Sequence, residues 1–181
     1  MTKPLISLVV AARPNFMKIA PLISELRQYS KQFDYHLVHT GQHYDYDMNK
    51  QFFDQLGIPE PDVNLEVGSG SHAQQTGQTM IAFETYIQDH SPDLVVVVGD
   101  VTATLACSVS AAKCNVKVAH IEAGLRSFDR EMPEEINRLV TDSISDILYT
   151  PSLDANEQLI KEGVSSDAVC FVGNIMIDTL F

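Results

Sequence analysis

Three cysteines are too few, and odd in number, to build a disulfide framework, and Cys107, Cys114 and Cys170 stand in no metal-ligand spacing. Cys107 and Cys114 fall in a run of small residues that reads as a helix, and Cys170 falls in an apolar run. All three are expected to act as small buried hydrophobes in a reducing compartment. Basic residues are also scarce: 12 Lys and Arg stand against 24 Asp and Glu, a net charge of −12. Such a chain is repelled by a phosphate backbone, and no basic stripe offsets that, which argues against a nucleic-acid partner. No apolar run approaches the roughly 20 residues of a membrane span. Lys3 followed by Leu5 to Ala12 mimics a secretion signal, but the run is short and opens a periodic pattern that needs it as a strand. The expected location is the cytoplasm. There is no Asn-Gly or Asp-Gly hairpin signal, repeat, low-complexity tract or flexible linker. A dinucleotide fingerprint needs glycines directly after the first strand, where Ala11-Ala12-Arg13 stand; Gly68-Ser69-Gly70 lies elsewhere, and no Walker-type loop occurs. Bound NAD and ATP hydrolysis are therefore not expected, nor is any other cofactor.

What is present is a globular composition, 45% apolar and 20% charged, in 181 residues, a length that suits one domain. Apolar runs alternate with helical periodicity. The strand candidates are Leu5–Val10, Tyr35–His39, Leu94–Val98, Val116–Ile121, Ile147–Tyr149 and Val169–Val172. Helical stretches fall near Met17–Ser30, Met48–Leu56, Ala73–Asp89, Thr102–Lys113, Pro133–Ser145 and Leu153–Glu162. The continuously apolar Leu94–Val98 suits a parallel strand covered on both faces. This alternation predicts βαβ units in a doubly wound, mostly parallel α/β sheet with helices on both faces. Gly173-Asn174 reads as a strand exit and helix cap before Ile175, Met176, Ile177, Leu180 and Phe181. A helix this apolar is expected to continue into a larger protein or to be covered by a partner.

In such sheets ligands bind beyond the carboxyl ends of the strands, and five segments there carry reactive side chains. They are Ala11 to Lys18, Thr40 to Asp45, Gly99 to Thr102, His120 to Arg126, and Pro133 to Arg138. Arg13, Lys18, Arg126, Arg130 and Arg138 are five of the twelve basic residues, and their concentration at one edge suits a phosphate-bearing ligand. Each segment also has a plainer reading. Arg13 and Lys18 can be solvated charges beside a helix start, and Asp100 can cap the helix that follows it. Glu122 ends an apolar strand, where a lone carboxylate is costly, so either Arg126 neutralises it or its environment serves chemistry. Glu134 and Arg138 form an i,i+4 pair, worth only about 0.3–0.5 kcal/mol on a surface. That pair points outward if Ile136, Leu139, Val140 and Ile147 pack on the sheet. His39 and His43 straddle a glycine and argue against a metal site, and His120 is expected to be a hydrogen-bonded core histidine.

Taken in order, Arg13-Pro14 with Lys18 and Ala20-Pro21-Leu22, Thr40-Gly41-Gln42-His43, Gly99-Asp100, Glu122-Ala123-Gly124-Leu125-Arg126, Pro133-Glu134-Glu135-Ile136-Asn137-Arg138 and Gly173-Asn174 resemble the non-hydrolysing UDP-N-acetylglucosamine 2-epimerases. The set spans essentially the whole chain. The chain departs from the family at Ala11-Ala12, where Gly-Thr is usual, so that this loop approaches phosphate less closely; Val101 and Ala103 also replace hydroxyl residues. The resemblance implies two Rossmann-like domains of glycosyltransferase-B type with the UDP-sugar in the cleft between them, in a homodimer. Residues 1–173 would be the N-terminal domain and 174–181 the start of an interdomain helix. The second domain, with most UDP contacts and a functional histidine, would be absent, leaving this chain incomplete for catalysis. By the same resemblance Arg13 binds the nucleotide, while Lys18, Asp100, Glu122, Glu134 and Arg138 serve catalysis. Gln42 and His43 match a loop that binds a second UDP-N-acetylglucosamine as activator in some members. Inverting carbon 2 takes a proton from one face and returns one to the other, without NAD. The alternatives are a UDP-diacetamido-uronic acid epimerase, a non-catalytic nucleotide- or protein-binding domain, and a UDP-sugar glycosyltransferase of similar architecture.

Overall fold

The structure is a computed structural model, and it describes residues 3–41 and 57–180. Its frame is one sheet of seven parallel strands in the order β3-β2-β1-β4-β5-β6-β7. In chain order these are β1 (Leu5–Val10), β2 (Asp34–His39), β3 (Val63–Asn64), β4 (Leu94–Val98), β5 (Lys117–Ile121), β6 (Ile147–Thr150) and β7 (Val169–Phe171). The helices are α1 (Arg13–Gln28), α2 (His72–His90), α3 (Thr102–Lys113), α4 (Pro133–Ile144) and α5 (Leu153–Lys161). Adjacent β1 and β4 lead in opposite directions across the sheet, to β2 and to β5. Such a reversal opens a crevice at the carboxyl ends of the two strands. Among the described residues no helix is long and apolar enough to cross a membrane.

The alternation of side chains along each strand divides the core in two. Leu8, Val10, Leu37, Val96, Val98, Ala119 and Ile121 meet Phe16, Ile19 and Ile23 of α1 on one face. Val9, Val38, Val95, Val97 and Val118 meet Phe83, Tyr86 and Ile87 of α2 and Cys107 and Ala111 of α3 on the other. Every valine of β4 is thus buried, at 0–4% exposure, which is why that strand reads as an unbroken apolar run. Each buried side chain of this kind contributes about 1.5–3 kcal/mol.

Helix α1 begins at Arg13, four residues before the predicted start. Pro14 occupies the first turn, where a missing N–H costs nothing. Asn15 fastens that turn to the sheet: its Oδ1 accepts from the Ala12 amide at 3.0 Å, and its Nδ2 donates to the Val98 carbonyl at 3.0 Å. Further along, Pro21 cannot donate to the carbonyl of Met17. Thr179 Oγ1 donates to that carbonyl instead, at 2.7 Å. Thr179→Val is expected to lower stability by about 1 kcal/mol, read as a lower urea midpoint at unchanged slope.

Four features depart from the sequence reading. The two-residue β3 has no periodic signal of its own and goes unpredicted. Cys107 is buried, but Cys114 is half-buried, and Cys170 is exposed on β7, the edge strand of the sheet among the described residues. Burial pushes the Cys107 thiol well above its ordinary pKa. Helix α4 is also turned the other way: Glu135, Thr141 and Asp142 are buried, while Ile136, Leu139 and Val140 stay partly exposed. The buried carboxylates find enough partners to outweigh the apolar stripe. The segment after Gly173 forms a turn and then a short 3-10 turn at Asp178–Leu180 that packs on α1, rather than an α-helix. The predicted helix at Met48–Leu56 lies outside the described residues.

Candidate active site

Strands β1, β4 and β5 end side by side, and the residues that follow them meet. Lys18, one turn into α1, is buried, and its Nζ forms an ion pair with Glu122 Oε2, directly after β5. Between them runs Gly99, directly after β4 with φ +70: a Cβ there would lie 3.4 Å from both Glu122 Oε2 and Lys18 Nζ. Asp100 follows, and its Oδ2 accepts from Arg138 Nη2 at 2.7 Å and from Nε at 3.0 Å. Asn137 Nδ2 donates to the Asp100 carbonyl at 2.7 Å. Two carboxylate–cation pairs, drawn from four separate stretches of chain, therefore flank one glycine turn. Asp100 does not cap α3: the residue at the cap is Val101, which offers no side-chain bond.

Glu134, on the same helix as Arg138, is exposed and is not the carboxylate that holds it. Arg138 Nη1 donates instead to Glu135 Oε2 at 2.6 Å. Glu135 is 2% exposed and also collects the amides of Ser127 and Phe128, at 3.0 Å each, so it fixes the loop before α4. Arg126 does not neutralise Glu122 either. Its side chain is 2% exposed and pairs with Asp142 Oδ2 at 2.7 Å and Glu162 Oε2 at 2.5 Å. Of the five cations predicted at this edge, Lys18 and Arg138 are in the cluster, Arg126 is spent on a buried pair, and Arg130 is exposed on the loop. Arg13 is the first residue of α1, beside the cluster in chain position. Gln42 and His43 lie outside the described residues. Among the described residues no three His, Cys, Asp or Glu side chains gather as metal ligands.

His120 is a hydrogen-bonded core histidine: it is 1% exposed, its Nε2 donates to the Gly99 carbonyl at 2.8 Å, and its Nδ1 lies 2.6 Å from Asp142 Oδ1. Neither Glu135 nor Asp142 was singled out from the sequence. The available signal was their spacing with Arg138, at i, i+3 and i+7, which puts all three on one helix face. Burial works against the charge on both carboxylates, but their partners outweigh it. Ser127, Arg138 and Phe128 hold the Glu135 carboxyl below its ordinary pKa, and His120 and Arg126 do the same for Asp142. A carboxyl depressed in the folded state contributes stability that is complete above its unfolded value of about 4 and is lost as pH falls through its folded one. The stability difference between the wild type and Glu135→Gln is therefore expected to be constant above about pH 5 and to shrink below about pH 4 in urea titrations.

Residues 25–181 match the family described as UDP-N-acetylglucosamine 2-epimerase. A UDP-N-acetylglucosamine 2-epimerase homolog of Methanococcus maripaludis is 50% identical over 172 residues, covering 95% of this chain and 47% of that protein. A UDP-2,3-diacetamido-2,3-dideoxy-D-glucuronate 2-epimerase of Pseudomonas aeruginosa is 44% identical over 173 residues, covering 94% and 49%. The crystal structure of Methanocaldococcus jannaschii UDP-GlcNAc 2-epimerase in complex with UDP-GlcNAc and UDP superposes with a TM-score of 0.92 at 43% identity, covering 97% and 48%. Acinetobacter baumannii MurG, at 10% identity and a TM-score of 0.63, shares the fold alone. The chain spans about half the length of these relatives. With its sheet order, its motifs and these matches in agreement, the chain belongs to the UDP-N-acetylglucosamine 2-epimerase family.

Proposed function

We propose that this chain forms the N-terminal wall of a site that epimerises UDP-N-acetylglucosamine at sugar carbon 2, and that it needs a second domain to turn over. The observation that carries the reading is the pair of carboxylate–cation contacts, Glu122 with Lys18 and Asp100 with Arg138, on either side of Gly99 at the sheet's reversal point. Removal of the C2 proton by a carboxylate leaves its electron pair to form a C1=C2 bond as the C1–oxygen bond to UDP breaks. Return of UDP to C1 and delivery of a proton to the opposite face of C2 give the epimer. The reaction needs acid–base groups near C2 and cations near the departing phosphate. Asp100, Glu122 and the exposed Glu134 supply carboxylates; Lys18, Arg138 and Arg13 supply cations. No NAD or metal enters the scheme.

The remaining assignments belong to the same reading. Residues 1–173 act as the N-terminal domain and 174–181 lead toward the second. Gln42 and His43 serve a second nucleotide-sugar site, and the protein works in the cytoplasm. A homodimer is supported by the outer surface of the helical layer: Leu105 and Val109 on α3 and Ile136, Leu139 and Val140 on α4 remain partly exposed, and Ile81 on α2 is 71% exposed. A UDP-2,3-diacetamido-uronic acid is the second substrate reading, favoured by the 44% identity to the Pseudomonas aeruginosa relative. The test is solvent-deuterium incorporation at C2 of each sugar nucleotide by the complete product of the gene. Faster incorporation into UDP-N-acetylglucosamine supports the first reading, faster incorporation into the uronic acid supports the second, and none into either contradicts both.

A further inference from the structure

Two buried residues that cannot touch a substrate connect the two loops that carry Asp100 and Glu122. His120 and Asp142 are 1% and 2% exposed, beneath the site and outside the carboxylate–cation cluster. His120 Nε2 donates to the carbonyl of Gly99, the residue before Asp100. Its Nδ1 is hydrogen-bonded to Asp142 Oδ1, and Asp142 Oδ2 accepts from the amide of Gly124 at 3.0 Å, two residues after Glu122. Asp142 lies one turn beyond Arg138, which holds the Asp100 carboxylate. One carboxylate on α4 thus ties both loops to the same helix.

The loops need such a tie. Gly99, Glu122 and Gly124 all have left-handed backbones, with φ of +70, +74 and +82. Glu122 is not a glycine, and a conformation of that kind persists where its surroundings over-determine it. No larger residue fits at Gly124, since a Cβ there would meet the Ala155 carbonyl oxygen at 2.5 Å.

We propose that His120 and Asp142 are positioning residues that hold the Asp100 and Glu122 loops in mutual register for proton transfer at C2. The proposal rests on the epimerase reading above. A shift of about 1 Å in a reacting group costs on the order of 10²-fold in rate. In the complete gene product, His120→Gln and Asp142→Asn are therefore expected to lower kcat for C2 deuterium exchange by about 100-fold, with KM changed less than about threefold. Asp142→Asn added to Glu122→Gln is expected to cost almost nothing further, because the pair acts through that carboxylate. A merely structural role predicts instead that folded variants keep their kcat, and a contribution independent of Glu122 predicts that the two losses multiply; either result overturns the proposal. If neither variant folds, the wild type decides: a Gly124 amide exchanging at least about 100-fold more slowly than that of exposed Arg130 supports the tie, and equal exchange overturns it. A wild type without C2 exchange sinks the epimerase reading and this proposal with it. Wild-type exchange with undiminished variants sinks this proposal alone.

Discussion

Glu122→Gln in the complete gene product is expected to lower C2 deuterium exchange by about 10²–10⁴-fold, the range a positioned acid–base group contributes. The substitution is nearly isosteric, so the turn at φ +74 and the contact with Lys18 Nζ can be retained while the proton acceptor is lost. Asp100→Asn is expected to fall in the same range, because Arg138 can still donate to an amide oxygen at that position. The expected signature is a loss in kcat in variants that still unfold cooperatively. Variants that keep full turnover indicate a nucleotide- or protein-binding domain whose charged cluster is structural.

The second large effect concerns stability. Arg126→Met is expected to cost about 3–5 kcal/mol, because it removes the cation paired with the buried carboxylate of Asp142 and leaves only the hydrogen bonds from His120 and the Gly124 amide. The Arg126 side chain is 2% exposed and spans Asp142 and Glu162. At about 2–4 °C per kcal/mol for a chain of this size, Tm should fall by roughly 10 °C. Arg130→Met, four residues along and exposed, should stay within about 0.5 kcal/mol. The contrast between the two arginines is the informative part: both looked alike in the sequence, and only burial separates them.

Much of the fold was legible because period-two and period-3.6 patterns are strong where elements are long and fully covered. Leu94–Val98 and Thr102–Lys113 were read with their observed boundaries for that reason. Val63–Asn64 was not, since two residues carry no period. The condition under which Glu134 and Arg138 point outward together, an apolar stripe of Ile136, Leu139 and Val140 packed on the sheet, is not met. The polar stripe faces inward instead, because Glu135 and Asp142 each satisfy backbone amides and a guanidinium there, and an unpaired carboxylate in those positions would cost far more. Lys18, Asp100, Glu122 and Arg138 could be picked out by their place after strands, but their pairing could not. Arg138 has three carboxylates within reach in sequence or space, and only the inward turn of α4 selects Asp100 and Glu135 over Glu134.

In the proposed reaction four side chains from distant stretches of chain act on one sugar carbon. A crystal structure of the complete gene product with UDP-N-acetylglucosamine tests that most directly. It should place sugar C2 within about 3.5 Å of the carboxylate of Asp100, Glu122 or Glu134, with Lys18, Arg138 or Arg13 turned toward the C1 oxygen or the phosphates. A sugar bound away from the Gly99 turn, with the Lys18–Glu122 and Arg138–Asp100 pairs undisturbed and remote from it, would contradict the account.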